Sequence, residues 1–400
     1  MVEVKKVIIV GAGPSGLLCG LMLAQAGIPV DILEAKDKFD SSPRALGYGS
    51  SAVQVLRRAG VLEKVRKAGI EVQSFSFRKL NGEKIASVAR ADLDNPDRPA
   101  VLPISLLNPI LKEEIEKLPG ACIHWKHKVI NVGNDLEGAW ILAQTPSGQQ
   151  RFAADYVVGC DGANSAVRQA LFGTSFPGFT WDEQLVATDI YYDIDKFGWD
   201  DTQFIISREH HSLIARINRD GLWRFTYSEL GHLSYDDVKE RLPLRFRKIL
   251  PGHPEPDQYR ISNFSPYKMH QRLAERMRVG RVLLAGDAAH LCNPFGGLGL
   301  TGGIADVGSL IDCLVGIHTG RANDDILDKY DEIRRQKWQN FTDPTSTRNL
   351  RRVTNDDEES IKKDPFLQYL TASSAGNNST VELQAAELEL VGDMTCFYVN

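Results

Sequence analysis

The stretch that decides the fold is KVIIVGAGPSGLLCGLMLAQAGIPVDILEA, residues 6–35. It opens with an apolar run, Val7 to Val10, and passes through Gly11, Gly13 and Gly16 at the spacing G-x-G-x-x-G. Leu17, Leu18, Leu21 and Leu23 then suit a buried helix closed by Gly27, and a second apolar strand follows. Strand, tight turn, helix and strand within about 30 residues form the βαβ unit that gives the glycine spacing its meaning. Gly11 permits the turn, Gly13 lets backbone approach a pyrophosphate, and Gly16 lets the helix pack closely, with the helix N-terminus facing the anion. Glu34 closes the second strand about 20 residues on, where a carboxylate accepts hydrogen bonds from ribose hydroxyls and repels a 2′-phosphate. The site therefore favours the adenosine ribose of FAD or NAD over that of NADP.

The bulk of the chain is compatible with this reading. Its 400 residues exceed the size at which one core keeps growing, so two intimately packed domains or one large α/β unit is expected. With 42% hydrophobic residues, 25% charged and a formal net charge of -5, the chain lacks the basic excess of a nucleic-acid binder. Its 6 cysteines (Cys19, Cys122, Cys160, Cys292, Cys313 and Cys396) form no C-x-x-C pair, and no His cluster stands at metal spacing. Neither a disulfide framework nor a metal site is expected, and a reducing, cytoplasmic setting is. No apolar run reaches the length of about 18 residues that a membrane span needs, and the N-terminus carries no secretory signal.

Beyond the first unit the texture is mixed. SSAVQVLRRAGVLEKVRKAG and LLNPILKEEIEKL read as amphipathic helix, while ACIHWKHKVINVG and GAWILAQTPSGQQRFAADYVVGCDG alternate like antiparallel strands. From about Glu183 to Ser228 the chain reads as a separate antiparallel sheet, then turns helical from RVLLAGDAAH to about Lys337, and TASSAGNNST reads as a loop or frayed segment.

Two further motifs stand in this frame. GCDGANSAVR carries Asp161, Gly162, Ser165 and Arg168, and GRVLLAGDAAHLCNPFGGLGLTGGIADVGSL carries Gly286 and Asp287 followed by a second G-x-G-x-x-G at Gly297, Gly299 and Gly302. That later spacing is no second dinucleotide site, because the strand ends at Gly286, well before Gly297. It fits a loop that passes close to a flat ring and opens a helix whose amides stabilise negative charge.

With these three motifs in this order, over about residues 5–340, the chain resembles the class A flavoprotein aromatic hydroxylases, the FAD monooxygenases with the p-hydroxybenzoate hydroxylase fold. The resemblance implies an α/β (α+β) fold: a Rossmann-like FAD-binding domain with an interleaved antiparallel-sheet substrate domain and C-terminal helices. On that reading the FAD-binding domain comprises 1–75, 106–180 and 271–340, the substrate domain 76–105 and 181–270, and a helical segment and tail 341–400. The cofactor residues it implies are Gly11, Gly13, Gly16, Glu34, Arg44, Asp161, Gly162, Arg168, Gly286, Asp287, Gly297, Gly299 and Leu300. Asp287 is expected to accept from the ribityl chain, and Arg44 to lie near flavin and nicotinamide. The chain departs from the family where Leu298 and Leu300–Thr301 replace the frequent Gln and Met-Asn, and where Ile104 or Ser105 stands for a flavin-facing glutamine.

The activity implied is FAD- and NAD(P)H-dependent hydroxylation of a phenolic small molecule, aromatic or polyketide-like, by dioxygen through a flavin C4a-hydroperoxide, in aromatic catabolism or secondary metabolism. Such a substrate reacts as phenolate, so a base or cation is expected on the sheet. Alternation places Arg216 with Ile214 and Asn218, and Arg224 with Leu222 and Thr226, while Trp223, Phe225 and Tyr227 share an opposite face. Arg224, Arg216 and Tyr227 are the candidates for the reaction, with Pro294 stiffening the glycine loop; Tyr191, Tyr192, His210 and His211 are further proton-transfer candidates. His290 and Cys292 sit inside the flavin motif and are not read as a catalytic pair, and His270 is unassigned. The same cofactor supports Baeyer–Villiger insertion or epoxidation, and related scaffolds serve a flavin-dependent reductase or a GDP-dissociation-inhibitor-like binder. A monomer or homodimer is expected.

Overall fold

The computed structural model describes residues 3–42, 45–89, 95–135, 138–373 and 388–399. Val7–Val10, Pro14–Gln25 and Val30–Glu34 form the expected strand, helix and strand, and both strands join a six-stranded sheet. In spatial order that sheet runs Arg278–Val279, Val282–Leu284, Tyr156–Gly159, Val7–Val10, Val30–Glu34 and Ala121–Trp125. Every pairing is parallel except the one between its first two strands. Ala121–Trp125 and Tyr156–Gly159 thus belong to this parallel sheet, not to an antiparallel one as their texture suggested. The reason for Tyr156–Gly159 is burial on both faces: all four residues are buried between the first strand and Val282–Leu284, as a continuous apolar run in a parallel sheet should be.

Lys128–Asn134, Ala139–Thr145 and Gly148–Ala154 make a small antiparallel sheet beside it. The long amphipathic stretch after the second strand is two helices, Ser50–Arg58 and Leu62–Ala68, interrupted at Gly60, whose φ of 73 no β-carbon favours.

The second large sheet has eight strands in the order His290–Leu291, Arg260–Leu273, Gly178–Tyr191, Leu222–Leu230, Ser212–Arg216, Thr202–Ile206, Ser74–Lys79 and Lys84–Ala89. It is mixed rather than purely antiparallel, since Thr202–Ile206 pairs parallel with Ser74–Lys79. Its far face carries the helix Tyr235–Ile249, started by a Ser234–Asp237 capping box and packed through Val238, Leu242 and Phe246. Its near face meets Phe295 and, from the C-terminal helices, Leu350, Val353, Leu367 and Leu370.

The helix Leu298–His318 is 21 residues long and apolar enough, at a mean hydropathy of 1.5, to cross a membrane by length alone, but that stretch is 89% buried inside the protein. It is the central core helix, apolar on all sides because it is covered on all sides. Ile326–Lys337 follows and passes through a π turn, Trp338–Thr342, into Asp343–Thr354, so the helical region continues past Lys337 to Glu358–Lys363 and Pro365–Ser373. Thr371–Ser373 of the predicted loop end that last helix, and 374–380 lie outside the described residues.

Candidate active site

The first motif forms a cradle of backbone. A β-carbon on Gly16 would lie 2.0 Å from the Gly11 carbonyl oxygen, and one on Gly11 (φ 101) 2.6 Å from that of Cys160, so both glycines are needed for close approach. Gly13 differs: nothing lies within 4 Å of the position a β-carbon would take. That open space stands at the N-cap of Pro14–Gln25, a helix start with no side-chain cap and no acidic residue in its first turn. Its free N–H groups and dipole suit a pyrophosphate. Glu34 sits beside it, Oε2 accepting from the Ala12 N–H (2.8 Å) and Oε1 from the Lys36 N–H (2.9 Å). A cavity of about 500 Å³ opens next to Glu34, lined by Ala35, Lys36, Phe39 and Lys126 among others. Arg44 lies outside the described residues.

The second motif turns its side chains toward the protein. Asp161 accepts from Ser165 Oγ and from the N–H groups of Ala166 (2.6 Å) and Val167 (3.2 Å), and burial still pushes its carboxyl above the usual range. Arg168, 4% exposed, donates to the carbonyls of Ala288 (3.0 Å) and Ala163 (2.7 Å), its guanidinium 3.7 Å from the Phe176 ring centre. Their side chains brace the Gly162 turn, and Arg168 ties it to Ala288, the residue after Asp287.

The third motif closes the cradle. A β-carbon on Gly286 would lie 2.7 Å from Ser15 Oγ, and one on Gly303 2.9 Å from the Gly286 Cα. The start of the first helix, the turn Gly286–Ala288 and the start of Leu298–His318 therefore meet at one place, with the Asp287 side chain exposed beside them. Leu298–His318 begins at Gly297, again with no side-chain cap and no acid in the first turn, so two uncapped helix N-termini serve the same region. Gly299 and Leu300 are half-buried in that first turn, and Thr301 Oγ1 accepts from the Gly49 N–H (3.1 Å).

Pro294 is held between two anchors. The Asn293 N–H donates to Gln271 Oε1 (3.1 Å), and Gln271 Nε2 donates to Asp343 Oδ1 (2.8 Å) and Ser346 Oγ (2.9 Å). On the other side the Gly297 N–H donates to the Pro294 carbonyl (3.1 Å). His290 and Cys292 do not act together: His290 Nε2 is 2.7 Å from Asp306 Oδ2, and burial lifts the Cys292 thiol to about 12.

The near face of the eight-stranded sheet looks toward this loop, since Phe295 clusters with Leu185 and Phe77 and its ring centre is 5.9 Å from that of His211. Residues paired across strands share a face, which sets out two rows. One runs Asp189, Arg224, Ala215, Thr202, Phe75, and the next Ala187, Thr226, Leu213, Phe204, Phe77. Phe75, Phe204 and Leu213 are only half-buried although they point inward. Arg224 shares its face with Thr226, as alternation placed it, and that face is the inward one, but its charge is engaged: Nε and Nη2 both donate to the Asp189 carboxylate, which also accepts from Asn263 Nδ2 (3.0 Å).

Arg216 and Tyr227 must be corrected. Trp223, Phe225 and Tyr227 are 0% exposed on the opposite face, under Phe246 of the covering helix, so they are core and not a substrate wall. Burial pushes the Tyr227 phenol well up. Arg216 lies on that same far face, stacked 4.3 Å over the Trp223 ring and paired with Asp195 and Asp201. Tyr192 donates to the Pro251 carbonyl (2.6 Å), Tyr191 lies under Arg260, and His210 pairs with Arg245 Nη1, which with burial lowers its pKa. His270 pairs with Thr180 Oγ1. Ile104 and Ser105 begin the helix Ile104–Ile115.

Sequence reasoning missed Gln271 and the buried group of Asp306, His290 and Arg334. The available signal was Asp306, one of two acids, with Asp312, in a mostly apolar, glycine-rich helix.

A family model described as an FAD binding domain matches residues 4–345. The chain is 40% identical over 348 residues to the para-nitrophenol 4-monooxygenase of Pseudomonas sp. (strain WBC-3), covering 86% of each protein. It is 37% identical over 356 residues to the 6-hydroxy-3-succinoylpyridine 3-monooxygenase of Pseudomonas putida (strain DSM 28022 / S16), covering 87% of this chain and 89% of that one. Among solved structures, the p-nitrophenol 4-monooxygenase of Pseudomonas putida DLL-E4 superposes with a TM-score of 0.92 at 35% identity, over 98% of this chain and 100% of that chain.

Proposed function

Since the chain belongs to the FAD-binding family of class A flavoprotein aromatic hydroxylases and is an FAD-dependent monooxygenase, we propose that its substrate is a hydroxylated aromatic ring bearing a substituent para to the hydroxyl, oxygenated at the carbon that carries the substituent. The names of the two relatives support this. Position 4 of para-nitrophenol bears the nitro group, and position 3 of 6-hydroxy-3-succinoylpyridine bears the succinoyl group and lies para to the hydroxyl. A ring oxyanion raises electron density at its ortho and para carbons, which makes the para carbon a nucleophile toward an electrophilic oxygen. Oxygen transfer there expels the substituent with its bonding pair and leaves a 1,4-quinone.

FAD, when bound, would supply the redox and dioxygen chemistry, with the nicotinamide co-substrate as the source of electrons. The open space at Gly13 and the uncapped start of Pro14–Gln25 would hold the pyrophosphate, Glu34 the adenosine ribose, and Asp287 the ribityl chain. The start of Leu298–His318, with Gly297, Gly299 and Leu300, offers amides to the pyrimidine edge of the ring system. Arg44 is assigned to the flavin and nicotinamide end by the family resemblance alone. Asp161, Gly162 and Arg168 are assigned to the cofactor side by the family resemblance, and Arg168 also holds the Gly286–Ala288 turn through the Ala288 carbonyl.

The observation that carries the substrate reading is the inward sheet face beneath the Pro294 loop. Phe75, Phe204, Leu213 and Ala187 make a dry, largely apolar wall, Thr226 supplies one hydroxyl, and Arg224 is neutralised by Asp189. Such a wall fits a flat ring and excludes water from it. We assign nucleotide binding to residues 1–75, 106–180 and 271–340 and substrate selection to residues 76–105 and 181–270.

The test is anaerobic: FAD-loaded protein is mixed with NADPH or NADH, with and without para-substituted phenols, and bleaching of the flavin is followed, then oxygen is admitted and products are analysed with ¹⁸O₂. The expected result is bleaching accelerated by a para-substituted phenol, with one labelled oxygen at the para carbon and the substituent released. Bleaching indifferent to every phenol, or label at the ortho carbon, overturns the proposal.

A further inference from the structure

The family match ends at residue 345, yet the chain returns to the nucleotide half at its C-terminal end. Leu390, 1% exposed, packs against Leu298 and Ala305 of the helix Leu298–His318. Its carbonyl accepts from Arg334 Nη1 (2.5 Å), while Arg334 Nε donates to Asp306 Oδ1 (2.7 Å) and Nη2 to the Gly302 carbonyl (3.4 Å). The other oxygen of Asp306 accepts from the Gly286 N–H (3.0 Å) and faces His290 Nε2 (2.7 Å). An unbroken series of buried polar contacts therefore joins the C-terminal segment to the residue before Asp287.

Further contacts hold the segment along the same helix. The Gly392 carbonyl accepts from Ser309 Oγ (2.9 Å), the Tyr398 hydroxyl donates to the Asp312 carbonyl (2.6 Å), and the Val399 N–H donates to the Arg321 carbonyl (2.7 Å). A guanidinium presents its donors in a fixed fork, so a buried arginine is held only where each acceptor stands in place. Removing the Leu390 carbonyl leaves Arg334 with an unmet buried donor, weakens its hold on Asp306, and leaves that carboxylate poorly compensated at the point where it fixes the Gly286 N–H.

We propose that residues 388–399 act as a clasp that positions the Gly286–Ala288 turn for FAD, with Arg334 and Asp306 as positioning residues, so that cofactor affinity depends on a segment outside the conserved family domain. The inference rests on the reading that this turn holds the ribityl chain. The clasp touches no reacting atom; it acts through the turn.

The experiment titrates apoprotein with FAD and follows thermal unfolding with and without FAD for the full chain, a chain ending at residue 387, Leu390→Ala, Arg334→Gln, Arg334→Lys and Asp287→Ala. Loss of one buried hydrogen-bond partner corresponds to about ten-fold in an equilibrium constant, so the shortened chain is expected to bind FAD about ten-fold more weakly. A synthetic peptide of residues 388–399 restores the affinity in trans, Arg334→Gln follows the shortened chain, and Arg334→Lys and Leu390→Ala fall between. FAD affinity unchanged in a folded shortened chain, or a lowered apoprotein Tm with unchanged affinity, overturns the clasp. Where the shortened chain does not fold, Leu390→Ala and Arg334→Lys decide in the same way. Asp287→Ala separates the premise from the inference: if it binds FAD as the unaltered chain does, the ribityl reading fails, whereas loss of FAD in Asp287→Ala with retention in the clasp variants sinks only the clasp.

Discussion

The nucleotide end and the substrate face of this protein are built by opposite means. At the nucleotide end the contacts come from backbone: glycines without side chains, two uncapped helix starts, and one carboxylate, Glu34, that already accepts main-chain N–H groups. On the substrate face they come from side chains projecting in rows from paired strands, with backbone groups taken up by the sheet itself. A backbone site is intolerant of any added atom and indifferent to most neighbours, while a side-chain site is tunable residue by residue. The Arg224 charge on the substrate face is held inside a pair with Asp189 and not offered to solvent.

The sharpest way to break this contrast is at Gly13 and Gly16. Gly16→Ala places a carbon against the Gly11 carbonyl, where backbone must move, and is expected to lower both apoprotein stability, by about 1–3 kcal/mol, and FAD affinity. Gly13→Ala meets nothing within 4 Å among the described residues, so apoprotein Tm should hold while FAD affinity, by equilibrium titration, falls. Equal losses of Tm for the two would show that the open space at Gly13 is not kept for a ligand.

Arg224→Met should leave FAD affinity alone yet cost more in stability than either glycine: Asp189 stays buried with Asn263 as a donor, for about 3–5 kcal/mol in urea unfolding, much of it recovered in the Arg224→Met, Asp189→Leu double variant. Recovery of turnover along with stability would mean that the pair serves the sheet alone. A smaller effect is expected for Thr226→Val, which keeps the shape and removes the one hydroxyl of the central row; KM should rise about five-fold, worth about 1 kcal/mol, with kcat nearly unchanged. Tyr227→Phe should change neither kcat nor KM, because the phenol is buried under the far helix and its oxygen has no hydrogen-bond partner among the described residues. A ten-fold fall in turnover there would return the aromatic face to the reaction.

The same contrast explains what was legible in the sequence. Gly11, Gly13, Gly16 and Glu34 could be read because a backbone site leaves a fixed spacing, and Asp287 because it follows a strand at a fixed turn. The two faces of Leu222–Leu230 were separable by alternation, but which one looks inward was not, since a helix buries one and the loop around Phe295 the other. That is why Arg216 and Tyr227 were placed with the reaction beside Arg224. Tyr156–Gly159 was mistaken for part of an antiparallel array because a run of four apolar residues has no period to read. Gln271 and Arg334 left no local mark at all: their partners, Asn293 and Asp343 for the one, Asp306 and Leu390 for the other, are distant in the chain.

The order of strands in the eight-stranded sheet bears on how the chain acquires its shape during synthesis. Ser74–Lys79 waits for Thr202–Ile206 to emerge before it gains its parallel neighbour, and the opposite edge is completed only by His290–Leu291, which pairs with Arg272 and Leu273. Contacts so far apart in sequence are slow to form, because long loops must close before any pairing rewards them. A nascent chain shorter than about Leu291 carries apolar faces of Ser74–Lys79 and Gly178–Tyr191 without their full cover, and apolar surface exposed in this way favours association with other chains.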